Sequence, residues 1–142
     1  MKPPQSRVEF THHPQITKQT YTVARNLDAV VASLQKRANE CVNKEQVTQT
    51  SASVGSRSKS AYHMSVDKVS PKRAELTYQI WDSNMALQPE GGLYRLAADI
   101  EAKGAKATEV TLYHGPMSGT LVNAVSEWSK GNTDSCHGYG GK

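Results

Sequence analysis

Apolar positions along the chain follow two periods, and the change from one to the other divides it into elements. Between Gln15 and Ala24, Ile16, Tyr21 and Val23 stand among polar residues in rough alternation, the period of a strand. Asn26 then offers a side-chain oxygen to a helix start, with the Asp28 carboxylate in the first turn where the dipole favours it. Leu27, Val30, Val31, Leu34, Ala38, Cys41 and Val42 fall at helical spacing, with Gln35, Lys36, Arg37 and Glu40 on the polar side. This pattern predicts an amphipathic helix over 26–42.

A meander of strands follows. Gln46–Val54 is rich in Thr, Val and Ser, and Gly55–Ser58 reads as its turn. Lys59–Val69 places Tyr62, Met64 and Val66 on one face, and Ser70-Pro71 turns the chain back. Lys72–Trp81 alternates cleanly, with Ala74, Leu76, Tyr78 and Ile80 inward. After a loop over 82–91, Gly92–Lys103 points Tyr94, Leu96, Ala98 and Ile100 inward, and Ala105–His114 points Val110 and Leu112 inward. Helical spacing returns with Leu121, Val122, Val125 and Trp128, predicting a helix over 117–130 that Gly131 ends. Ser118-Gly119 reads as its capping start.

One apolar face per strand and one apolar stripe per helix give an α+β domain in the order β-α-β-β-β-β-β-α. It is an antiparallel sheet of five to six strands with two helices packed on one face. Residues 1–14 carry Pro3, Pro4 and Pro14 without a period and are expected as a flexible lead-in. The single domain then runs over 15–137, and 138–142 is a flexible tail.

At 142 residues, 37% of them hydrophobic, the chain suffices for one core. No apolar run is long enough for a transmembrane helix. The net charge of +4 is mild. The densest basic group, Arg57, Lys59, Lys68, Lys72 and Arg73, sits at strand edges and turns, where lysines blunt sheet edges, so no nucleic-acid partner is expected. Two cysteines, Cys41 and Cys136, lie 95 positions apart with no C-x-x-C. The polar, Gly-rich surroundings of Cys136 favour a disulfide with Cys41 and an oxidising compartment, against two independent buried thiols. The start Met1-Lys2-Pro3-Pro4 is no leader, so a mature or trimmed form is expected.

The order of elements resembles the helix-grip and TBP-like domains of bacterial envelope lipoproteins. The helix Leu27–Val42 with Cys41 near its end, the hairpins Leu76–Ile80 and Tyr94–Ile100, and the helix Leu121–Trp128 followed by Cys136 carry that resemblance. It implies a non-enzymatic periplasmic or outer-membrane-anchored monomer acting on another envelope protein. Membrane contact would come only through an N-terminal anchor absent from this chain. The alternative it implies is a small carrier holding an apolar ligand between the sheet and the C-terminal helix.

Candidate chemistry is sparse. No G-x-S-x-G or phosphate loop is present, and the five histidines (His12, His13, His63, His114 and His137) have no zinc-ligand spacing. No catalytic residue, metal or cofactor is therefore expected. Trp81 follows an inward residue and so faces away from the core, and Met85 and Leu87 sit on a loop without a partner element. These three are the expected contact surface, unless the loop folds back and buries them.

Overall fold

The computed structural model describes residues 3–51 and 56–139, with no account of the side chains of 45–58. Six antiparallel strands form one sheet in the order β1-β6-β5-β4-β3-β2. They are β1 (Thr17–Val23), β2 (Lys44–Ser51), β3 (Ser56–Ser70), β4 (Arg73–Asp82), β5 (Leu93–Gly104) and β6 (Ala107–His114). The helices are α1 (Arg7–Thr11), α2 (Leu27–Arg37) and α3 (Gly119–Ser129). None of them is long and apolar enough to cross a membrane.

The first strand pairs with the last, so β1 and β2 lie at opposite edges and α2 must cross the sheet between them. Five inter-strand steps span about 24 Å. The helical stretch Leu27–Val42 supplies about 24 Å at the usual rise per residue. The Asn26 side chain accepts from the Ala29 N–H at 2.8 Å and starts the helix as expected. Its last turn, Ala38–Val42, widens to a π-turn that Asn43 closes onto the Ala38 carbonyl. Ala38, Cys41 and Val42 are all buried there.

The core fills the space between the sheet and the pair α2 and α3. Leu76, Tyr78, Leu96, Ala98, Ile100, Val110 and Leu112 are fully buried on the sheet side, against Val30, Leu34, Val125 and Trp128 from the helices. Thr108, buried among them, donates to the Arg25 carbonyl at 2.8 Å. Arg25 in turn donates to the Ser129 carbonyl at 3.0 Å, at the end of α3. Cys41 and Cys136 are joined by a disulfide with Cα atoms 5.7 Å apart.

Three expectations need correction. The stretch 1–14 is not a bare lead-in, because Ser6 caps α1 there and Phe10 is buried. A five-residue helix is too short to show a period. It packs on the face of the sheet opposite α2 and α3, where Arg7 donates to the Ala98 carbonyl at 2.7 Å and pairs with Asp99 at 3.1 Å. Asp99 also takes Arg73 at 2.8 Å and the Tyr113 hydroxyl at 3.2 Å.

Tyr94 does not face inward. The pairing passes from Tyr78↔Leu96 to Gln79↔Tyr94, so Arg95 is an extra residue in β5 and everything before it changes face. Tyr94 joins Gln79 on the outer face and stacks on Phe10 at 5.9 Å.

The C-terminal tail is also anchored where it is described: the Tyr139 and Tyr78 hydroxyls are hydrogen-bonded, with the rings edge-on. Gly140–Lys142 lie outside the described residues.

Candidate functional site

The β4–β5 loop is built by its own hydrogen bonds. Gln88 donates to the Asp82 carbonyl at 2.7 Å, and Asn84 N–H reaches the Asp82 carboxylate at 2.8 Å. Gln79 then holds the returning chain through the Glu90 and Gly92 carbonyls at 2.7 and 2.9 Å. Gly92 adopts φ +109°, and a Cβ there would lie 2.3 Å from the Ile80 backbone, so only glycine permits this close return. The N-terminal segment is tied to the loop by Gln5, which donates to the Leu87 carbonyl at 2.9 Å.

Three segments thereby meet where β5 starts and β6 ends: the N-terminal stretch, the β4–β5 loop and the β6–α3 turn. They line an open cleft of about 580 Å3. Its N-terminal wall is Pro3, Pro4, Phe10 and Ile16; Met85 and Ala86 come from the loop. Leu93 and Tyr94 come from β5, and Pro116 from the turn. The polar lining is His13, Gln15, Arg95 and Ser118, with no carboxylate. A cavity of this size lies within the usual range for small-ligand sites.

The polar groups have distinct states. Gln15 N–H donates to His13 Nδ1 at 3.1 Å, which leaves the ring proton on Nε2. Ser118 occupies the N-cap position of α3 without capping it; its hydroxyl turns back towards the Pro116 carbonyl at 3.4 Å. The expected capping role of Ser118 is therefore not seen. Arg95 is exposed at the bulge and makes no hydrogen bond or ion pair among the described residues.

The structure separates the three residues expected as a contact surface. Met85, 43% exposed, lines the cavity. Leu87, 62% exposed, points elsewhere with φ +61°, and Trp81 is half-buried in β4 opposite Ala61. Phe10, Tyr94 and Arg95 are lining residues that the pattern of the chain did not suggest. A lone phenylalanine in a polar stretch was the available sign for Phe10. The bulge that places Tyr94 and Arg95 leaves no sign in one sequence.

Several other polar groups are occupied. His114 donates from Nδ1 to the Gly115 carbonyl at 2.9 Å and accepts from Gln19 at Nε2 at 2.9 Å. His137 bonds the Asn132 carbonyl at 2.8 Å, and His63 is exposed. No cluster of three or more His, Cys, Asp or Glu side chains forms among the described residues. Within the basic group, Lys68 pairs with Asp28 and Arg73 with Glu75, both at 2.8 Å.

A second cavity of about 120 Å3 adjoins Cys41, Tyr62, Tyr78 and Tyr139. Burial, with the hydrogen bond to Tyr139, pushes the Tyr78 phenol well up, and Arg95 acts weakly the other way. That phenol stays protonated.

No family model matches the chain, and no curated protein matches its sequence. Several solved structures align with it at low similarity. A START superfamily protein from Mycobacterium smegmatis aligns at 9% identity and TM-score 0.45, over 84% of this chain and 97% of that one. A hypothetical protein from Helicobacter pylori aligns at 9% identity and TM-score 0.41, over 95% and 85%. An aromatase/cyclase from Streptomyces sp. R1128 aligns at 12% identity and TM-score 0.30, over 87% and 91%. Likeness at this level carries no inference about this chain, and no activity passes from these proteins to it. Nothing among the three singles out envelope lipoproteins.

Proposed function

We propose that this domain is a binding protein for a small apolar molecule, held in the cavity between the N-terminal stretch, the β4–β5 loop and the start of α3. The observation that carries this reading is the cavity itself. It is walled mainly by Pro, Phe, Ile, Met, Leu and Tyr side chains, with a few polar groups at its edge. The reading differs in place from a ligand held deep between sheet and terminal helix. There Tyr78, Leu96, Ile100 and Trp128 already fill the space. The disulfide supports an oxidising compartment as the place of action.

No nucleophile–base pair forms in the cavity wall, since Ser118 and His13 spend their bonds on local backbone. Binding is the chemistry that these groups favour.

A second reading, contact with another envelope protein, rests on Leu87. A large apolar residue held exposed at φ +61° is costly, and such cost is often kept for a contact.

The first reading is tested by filling the cavity. Ala86→Trp, at an exposed loop position lining it, is expected to leave the melting temperature within about 2 °C of the parent, as surface changes usually do. It is expected to weaken an environment-sensitive apolar dye at least tenfold in a fluorescence titration. Unchanged dye affinity in the folded variant would put the binding site elsewhere.

A further inference from the structure

We infer that the ligand of this cavity is an amphipathic carboxylate, an apolar chain or ring system ending in one anionic group, with Arg95 as the residue that selects it. This rests on the proposed binding function and adds the chemical class.

Arg95 sits in the cavity lining next to Leu93 and Tyr94, on the one residue of β5 that the bulge takes out of register with β4. The bulge is what puts a cation there: in regular pairing Arg95 would occupy the position that Tyr94 takes opposite Gln79. The other arginines whose side chains are described all have partners. Arg7 and Arg73 hold Asp99 and Glu75, Arg37 holds Glu40, and Arg25 holds the end of α3. Arg95 has no such partner among the described residues, and the cavity lining contains no Asp or Glu that could serve as one.

A guanidinium presents a planar fork of donors that matches a carboxylate with two parallel hydrogen bonds. His13, whose Nδ1 accepts from Gln15 N–H, and Ser118 belong to the same lining. The polar lining groups include a cation and donors but no anion, while most of the wall is apolar. A neutral ligand would leave the Arg95 fork to water, and a cationic ligand would be repelled. The chemistry that uses all of the lining is an apolar body with a single acid group.

The test compares dodecanoate, dodecanol and dodecyltrimethylammonium, each below its micelle concentration, by isothermal titration or tryptophan fluorescence of the full chain. Dodecanoate is expected to bind at least tenfold more tightly than dodecanol, and the ammonium more weakly than either. Arg95→Gln, at an exposed position with no hydrogen bond or ion pair among the described residues, is expected to fold as the parent does. It should abolish the preference by weakening dodecanoate about tenfold while leaving dodecanol unchanged. Arg95→Lys should restore part of it. Equal affinity for acid and alcohol in the parent would overturn the assignment of ligand class and leave the apolar cavity standing. A preference that survives Arg95→Gln would overturn the role of Arg95. Absence of binding by all three would overturn both the inference and the function beneath it.

Discussion

Removing the Cys41–Cys136 bond is expected to cost about 3–5 kcal/mol of folding stability, a large part of what a domain of this size holds. The bond closes a loop spanning 95 positions, so the unfolded chain gains much freedom when it is cut. The folded state loses as well. Cys136 is buried beside the end of the α2 stretch and carries with it Ser135, whose carbonyl takes the Trp128 indole N–H at 3.1 Å. It also carries Tyr139, which closes over Tyr78. Replacing both cysteines by alanine avoids leaving a buried hydroxyl and is expected to lower the melting temperature by roughly 10 °C. Circular dichroism melts of the parent, with and without reductant, and of the double variant check this. A shift under about 2 °C would mean that the tail is held without the bond.

Trp128→Ala is expected to cost a further about 3–5 kcal/mol in its own right, as truncating a core tryptophan does. Trp128 is fully buried on α3, in the layer that contains Leu34, Tyr78 and Leu96, and its loss opens a hole that the β-sheet cannot close. The Ser135 carbonyl also loses its donor. Trp81→Ala is the internal control: Trp81 is half-buried in β4 on the other face, and its truncation is expected to cost well under half as much. Urea denaturation of the two variants measures the difference directly. Comparable losses would show that the principal core is not where this packing puts it. The dye affinity of folded Trp128→Ala is expected to stay near that of the parent, because Trp128 does not line the large cavity.

These two tryptophans show how far the pattern of the chain reaches. Alternation in Ala74, Leu76, Tyr78 and in Val110, Leu112 named the buried face of β4 and β6 because a strand buried on one face leaves an unambiguous period. The same alternation puts Trp81 on the opposite face, and helical spacing with Leu121 and Val125 puts Trp128 inside. Asn26 and Gly131 marked helix ends because capping oxygens and left-handed glycines act within a few residues.

The candidate site was much less legible. Its wall is assembled by long-range contacts: Phe10 on Tyr94, Gln5 on Leu87, and Ile16 beside Gly115. None of these leaves a local period. Tyr94 was placed on the wrong face because one bulge at Arg95 reverses the alternation behind it, and a bulge is set by pairing with β4 rather than by composition. Met85 was singled out as an apolar residue without a partner element, and its partners turned out to be the N-terminal stretch and β5, in the wall of the cavity. Ser118 looked like a cap by residue type, yet its backbone at φ −106° and ψ 19° is not the extended geometry that capping side chains use.

The most direct test of the account is methyl NMR of the chain during titration with dodecanoate. Saturable shifts are expected at the Ile16, Met85 and Leu93 methyls, which line the large cleft, with little change at Leu34, Leu76 and Val125 in the packed core. Shifts concentrated at those three core methyls, or no saturable shift at the cavity methyls, would contradict it.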